Sequence, residues 1–396
     1  MKRIFFIANG VFGGHIAGGD IHFWEMARAL IRQGFEVHLL GGKILQNHLQ
    51  QWRLPLQLHF TEDEPVTNLS DETLSGQIKL FQIYVKRCWK SLEILQQEAQ
   101  TEDVIYAVSD FWFDVWPMVK CRAKFKVGVW HMQCPGLREI IFRQRADVSW
   151  VRLPSLHYWL SQSLALRWIK KCPYKKIFYL HPSMKQPLLK LGYNENEISP
   201  ISYGVDVVTA QKVEEVKKEY DVIWLGRVHR QKGIDDIIPA LKYLAERVPN
   251  FKAVVVGKIK EYLLPLLSQE LVDKVFFPGF VSEEEKFRLL KASRVFLMPS
   301  RHEGSPRVMA EALLCGNRVV AYEVETYPGV FHDWIQYVTK FDLALFQKEI
   351  ERQIIQSRAN ERVINSFDLN RFEKENAWEA TGNHFVTEIK KLIHES

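Results

Sequence analysis

Residues Val295–Ala321 read VFLMPSRHEGSPRVMAEALLCGNRVVA. The apolar run Val295, Phe296, Leu297, Met298 has the composition of a buried strand and stops at Pro299 and Ser300. A polar turn carrying Glu303 and Gly304 follows, then a helix pattern, then the apolar stretch Arg318 to Ala321. Strand, turn, helix, strand is one right-handed crossover and implies a parallel sheet. Ser305 is expected to cap the helix and Pro306 to hold its first position, where proline loses no intrahelical hydrogen bond and its fixed φ suits a helix.

Such a helix start can bind an anion through its bare N–H groups and the positive end of the helix dipole. Glu311 falls on the second turn, where its carboxylate can accept two hydroxyl hydrogen bonds, and Glu303 lies in the turn itself. An anion site flanked by two hydroxyl-binding groups suits a nucleotide sugar, whose pyrophosphate sits between a ribose and a hexose. A capped surface helix with two solvated glutamates fits the segment taken alone equally well.

The same alternation runs through the chain. Ile4 to Ala8 is a strand, NGVFGGHIAGGD (Asn9 to Asp20) a glycine loop, IHFWEMARALIRQG an amphipathic helix, and Val37 to Leu40 a second strand. Val104 to Val108 and Lys126 to Val129 extend the pattern. The second half restarts it with Asp221 to Leu225, Lys252 to Val256, Val275 to Phe277, Val295 to Met298 and Arg318 to Ala321, with helices at Ile234 to Arg247 and Glu283 to Ala292. The expected architecture is α/β, two Rossmann-like doubly wound domains facing across a cleft. The first, acceptor-binding domain is placed at residues 1–200 and the second, donor-binding domain at 201–369. A closing helical segment, 370–396, is expected to pack back on the first domain.

At 396 residues, two domains are the natural division. Composition is that of an ordinary globular chain, 47% hydrophobic and 25% charged, and the net charge of +6 favours anionic partners without choosing among them. Five scattered cysteines form no CxxC pair and no zinc-like cluster, which makes a reducing cytoplasm the expected location. The apolar run after Met1-Lys2-Arg3 breaks at Asn9 and Gly10, too short for a membrane span, and reads as a first strand rather than a leader.

In open parallel sheets ligands bind beyond the carboxyl ends of the strands. Four loops qualify. GRVHRQKG (Gly226 to Gly233) follows a strand and carries Arg227, Arg230 and Lys232, cations able to neutralise a diphosphate. The loop with Gly13, Gly14, Gly18 and Gly19 permits close backbone approach, but the second strand ends in Leu40-Gly41-Gly42-Lys43 without the acidic residue a nicotinamide fold needs. His131 follows the strand ending at Val129 and Trp130 and can supply a hydrogen bond or a positive charge. Asp110 and Asp20 are further candidates. The region 137–176 is basic and Trp-containing, either an amphipathic helix lying on an anionic membrane or a helix whose apolar stripe is core.

Taken together, AGGDIHFWEMARALIRQGFEVHLL, ISYGVD (Ile201 to Asp206), GRVHRQKG and FFPGFVSEEEKFRLLKASRVFLMPSRHEGSPRVMAEALLCG resemble retaining glycosyltransferases of family 4, which have the GT-B fold. The resemblance implies that Arg227 and Lys232 stabilise a departing diphosphate, Glu311 holds ribose hydroxyls, and Glu303 contacts the transferred sugar. Gly304 and Ser305 would offer backbone N–H groups, with Pro306, Arg307 and Val308 completing the donor site. His131 aligns with an acceptor-domain histidine near the donor sugar, and Gly18 or Gly19 with glycines that approach the donor. CGNRVVA departs from the family where a proline usually precedes the strand, and VETYPG where a second glycine pair is usual.

The expected function is transfer of a sugar from a nucleoside diphosphate donor, UDP- or GDP-linked, to a hydroxyl of a glycan, lipid-linked or small-molecule acceptor, in glycan, glycolipid or polysaccharide biosynthesis. No metal, cofactor or nucleic acid is expected, and the expected location is cytoplasmic, either free or, on the membrane reading of region 137–176, in peripheral contact with the inner membrane face. The alternative is a non-catalytic nucleotide-sugar-binding partner in a polysaccharide assembly complex.

Overall fold

The computed structural model describes residues 2–11, 18–63, 66, 74–142, 152–226, 230–258, 260–304, 306–324, 331, 334–359 and 368–394. Two compact units emerge, one of Met1–Phe142, Trp150–Ser202 and Glu379–Ser396, the other of Tyr203–Trp378.

The first unit is built on a parallel sheet of β1 (Arg3–Ala8), β2 (Glu36–Gly41), β3 (Gln57–Phe60), β4 (Val104–Ala107), β5 (Phe125–Trp130), β6 (Tyr174–Tyr179) and β7 (Ile198–Pro200), in the order β3-β2-β1-β4-β5-β6-β7. Ile4 to Ala8 are fully buried, as a strand covered by helices on both faces requires. The strand order reverses between β1 and β4, so loops after those strands open at the sheet's switch point.

One strand of this sheet, β6, is disguised in the sequence by charge. YKKIFY places Lys175 and Lys176 in the interior of β6, where both are buried. Lys175 pairs with Glu197 at 2.7 Å and donates to the Cys172 carbonyl, and Lys176 pairs with Glu388 at 2.7 Å and donates to the Asn196 carbonyl. Glu388 lies on the last helix, Trp378–His394, which packs on this unit through Phe385 against Tyr106 and Phe178. The closing segment is thus two helices, not one. Leu369–Asn376 buries Phe372 in the core of the second unit, and the chain becomes extended at Ala377, which bridges to Val205.

The basic segment divides the same way. In the helix Arg152–Lys170 the late positions Ala165, Leu166 and Ile169 are core, whereas Leu156 and Leu160 are exposed, as are Leu137, Ile141 and Phe142 of the helix Leu137–Phe142. The core reading holds for the second half of the longer helix and, in the shorter one, for Ile140. Among the described residues no helix is long and apolar enough to cross a membrane, and all five cysteines are free and buried.

The second unit repeats the plan with β8 (Tyr220–Leu225), β9 (Ala253–Val256), β10 (Val275–Gly279), β11 (Ser293–Met298), β12 (Arg318–Tyr322) and β13 (Gln336–Val338), all parallel, in the order β10-β9-β8-β11-β12-β13. Its switch point lies between β8 and β11. The two Rossmann-like sheets expected from the sequence are both present.

Candidate functional site

The switch point of the second unit brings together residues from two loops. Beyond β8 the chain makes a short turn, Arg230–Lys232, and Gly233 then starts the helix Ile234–Arg247. This turn is fastened to the segment after β11: the Arg301 N–H donates to the Gln231 carbonyl at 2.7 Å, and the Gln231 side chain donates to the His302 carbonyl at 2.8 Å. Arg301 also reaches Asp235 and Asp236 in the first turn of that helix. Gly233 adopts φ +69°, and a Cβ there would run into the Pro299 carbonyl, so only glycine lets the two loops approach this closely.

The consequence is a direct ion pair. Lys232 Nζ donates to Glu303 Oε1 at 2.5 Å, and Glu303 is buried. The cation assigned to the diphosphate and the carboxylate assigned to the sugar neutralise each other across 71 residues of sequence. The pair thus satisfies the buried carboxylate within the protein.

The second cluster sits on the helix Arg307–Leu314. Its N-cap is Pro306, extended at φ −79° and ψ 90°, with no side-chain cap hydrogen bond. Proline therefore lies one position earlier than expected, and Arg307 is the first helical residue. Ser305 and Arg227 lie outside the described residues, as do Gly13, Gly14 and most of VETYPG. Val308 packs against the hydrophobic core of the unit.

Glu311 is fully buried, and its Oε1 accepts from Lys286 Nζ at 2.8 Å and lies 3.2 Å from Arg307 Nε. Its Oε2 is buried without a hydrogen-bond partner among the described residues. A buried carboxylate needs compensating charge, and Lys286 and Arg307 provide it. Sequence reading missed Lys286 because SEEEKFRLLK has the look of a solvated helix face. Its only sequence signal is its position on the helix Glu283–Lys291, next to Phe287 of the core.

Gly316 closes the Glu311 helix at φ +72°, and Asn317 donates to the carbonyls of Leu290 and Ser293. These bonds seat the start of β12, where CGNRVVA lacks the proline usual in the family resembled.

In the first unit, Gly18 and Gly19 open the helix Gly18–Arg32, and a Cβ at Gly19 would meet nothing within 4 Å among the described residues. His131 follows β5. Its Nε2 lies 2.8 Å from the Val108 carbonyl oxygen, an acceptor, so that nitrogen carries the proton. Burial lowers the His131 pKa below the ordinary value, only partly offset by this bond, and the ring is neutral at pH 7. Of the two roles expected of His131, a hydrogen bond or a positive charge, a neutral ring leaves the first. His22 packs edge-on against it at 5.9 Å and is held neutral by burial and by His131.

Gln162 organises this corner and was not legible in the sequence. Its side-chain amide donates to Asp110 Oδ2 at 2.7 Å and to the Met132 carbonyl at 2.8 Å, and accepts from the Cys134 N–H at 3.0 Å. Burial pushes the Asp110 carboxyl up to about 7, against hydrogen bonds from Gln162 and the His131 backbone. Asp114, bonded by Ser109 and the Asn9 N–H, is likewise raised by burial to about 7.

A raised carboxyl pKa stabilises the fold below the unfolded value near 3.8, and that contribution is lost as pH rises through about 7. Buried neutral histidines act in the opposite sense below their ordinary pKa, so the clear observable is a difference between variants. The stability advantage of wild type over Asp110→Asn is expected to fall by about 2–3 kcal/mol between pH 5 and pH 7, at 1.36 kcal/mol per unit. Denaturant unfolding at each pH measures it, and a pH-independent difference would rule out a proton on Asp110.

Residues 208–366 match the model of the glycosyl transferases group 1 family. The chain is 24% identical over 253 residues to an uncharacterized glycosyltransferase, MJ1069, of Methanocaldococcus jannaschii, covering 60% of this chain and 64% of that one. It spans between 35% and 64% of the length of three curated relatives, all glycosyltransferases of that organism. In structure it is similar to the sucrose-phosphate synthase of Thermosynechococcus elongatus (TM-score 0.73, 18% identity, 100% of both chains). It is also similar to Anabaena Alr3699/HepE, solved in complex with UDP and glucose (TM-score 0.67, 16% identity, 99% of this chain and 100% of that one). The fold is thus of the GT-B class that the sequence resemblance implied.

Proposed function

We propose that this chain is a retaining glycosyltransferase that moves a sugar from a nucleoside diphosphate donor, UDP- or GDP-linked, to an acceptor hydroxyl. The observation that carries the reading is the Lys232–Glu303 pair at the β8/β11 switch point, in the domain matched by the group 1 family. Lys232 and Arg227 neutralise the diphosphate, Glu303 accepts from hydroxyls of the transferred sugar, and Glu311 accepts from the ribose.

In the proposed step the bond between the anomeric carbon and the diphosphate oxygen breaks as the acceptor oxygen bonds to that carbon from the same face. The acceptor proton passes to the leaving phosphate oxygen. No protein nucleophile is needed, and catalysis rests on placing cations where negative charge develops. With cationic side chains in that position, the reaction is proposed to need no metal. The acceptor is proposed to be a glycan or lipid-linked hydroxyl, a reading supported by the exposed Leu137, Ile141, Phe142, Leu156 and Leu160 on the first unit.

The test incubates the full chain with UDP-, GDP- and ADP-linked hexoses, with and without acceptor alcohols, and reads the first-formed product by proton NMR. The expected product keeps the donor's anomeric configuration, at an undiminished rate in EDTA. Release of the inverted sugar would reject retention, and no turnover of any donor, with or without the acceptors, would count against the enzyme reading.

A further inference from the structure

We propose that Lys286 is a donor-positioning residue that makes Glu311 read a single hydroxyl of the donor ribose. This rests on the nucleotide-sugar reading of the site and adds to it a residue and a selectivity.

Lysine is rarely buried unless paired, and Lys286 is only 5% exposed. Its ammonium bridges two helices, donating to Glu283 Oε2 at 2.7 Å within its own helix and to Glu311 Oε1 at 2.8 Å across to the next. Arg307 lies against the same oxygen at 3.2 Å. A carboxylate oxygen has two lone-pair sites, and both cations lie against Oε1. Oε2, in a side chain with no exposure, accepts no hydrogen bond among the described residues.

This asymmetry changes what Glu311 does. A carboxylate with both oxygens open would take the two vicinal hydroxyls of a ribose together. Here one oxygen is committed to the protein, so one hydroxyl gains a full acceptor and the other does not. Lys286 also fixes the direction of Oε2, because the carboxylate cannot turn without breaking the bond between the helices.

The experiment measures binding of UDP, GDP and ADP, and of the 2′-deoxy and 3′-deoxy forms of whichever binds, by calorimetry. Wild type is expected to lose about tenfold or more for one deoxy form and less than about threefold for the other, since the unpaired buried oxygen penalises only one omission. Lys286→Met is expected to weaken the parent diphosphate by about tenfold and to level the two deoxy forms, with Lys286→Arg restoring part of both. In turnover the loss should appear in the donor KM more than in kcat.

Should Lys286→Met not fold, Glu311→Gln and the double variant Lys286→Met/Glu311→Gln, in which the buried charge is removed from both sides, carry the test. Lys286 acting through Glu311 predicts that the two bind the diphosphate equally. Equal penalties for both deoxy forms in wild type, unchanged selectivity in Lys286→Met, or a double variant weaker than Glu311→Gln alone would each overturn the proposal while leaving the donor reading standing. No binding of any of the three diphosphates to wild type would instead remove the donor reading itself.

Discussion

Lys232→Ala is expected to lower turnover by about 10²–10³-fold, the loss seen when one preorganised group facing developing charge is removed. Lys232 sits at the carboxyl end of β8 with its ammonium on Glu303, on a turn that two hydrogen bonds hold to the segment after β11. Its removal leaves the buried Glu303 without that cation, a destabilisation of about 1.5–3 kcal/mol for a charged hydrogen bond. The fold should survive, so turnover and thermal midpoint separate: a large fall in kcat with a small fall in Tm. Lys232→Arg keeps the charge and should recover part of the activity. Turnover unchanged in Lys232→Ala would remove the lysine from the chemistry.

Gly233→Ala is expected to have the largest effect on the architecture of the site. Two costs coincide there. The residue is left-handed at φ +69°, which costs an L side chain about 1–2 kcal/mol. The added methyl also meets the backbone carbonyl of Pro299, at the end of β11, rather than a side chain that could swing away. Together these predict a loss of at least about 3–4 kcal/mol, in the exceptional range for one methyl group. If the turn moves to relieve the clash, Lys232 leaves Glu303, and donor binding falls in either case. Gly316→Ala is the control: its φ is +72°, but nothing lies within 4 Å of the added Cβ among the described residues, so it reports the backbone strain alone. Calorimetric unfolding of the two variants checks this, and a Gly233→Ala protein with the stability of Gly316→Ala and full nucleotide affinity would contradict the account.

Much of the fold was legible because parallel strands covered on both faces must be apolar throughout. IFFIA, DVIWL, KAVVV and VFLM announce β1, β8, β9 and β11 for that reason. β6 was hidden by Lys175 and Lys176, whose charges are met by Glu197 and Glu388, the latter 212 residues away. β3, β7 and β13 are short edge strands of three or four residues, below the length at which periodicity speaks.

The site followed the same rule. Glu303, Glu311 and Lys232 stood out because each follows a strand or opens a helix, and both are local features. That Lys232 pairs with Glu303, and that Lys286 and Arg307 occupy one oxygen of Glu311, are products of tertiary packing. Which of its two expected roles His131 could fill was hidden for a related reason: the burial that keeps the ring neutral, against the pull of the Val108 carbonyl, comes from packing and not from the residues beside it.

Titration of the purified full chain with UDP, GDP and ADP by calorimetry, repeated on Lys232→Ala and Glu311→Gln, tests the central claim most directly. The account predicts saturable binding of at least one of the three to wild type, weakened by about tenfold or more in each variant. Absence of saturable binding by all three, or binding that neither substitution weakens, would contradict it.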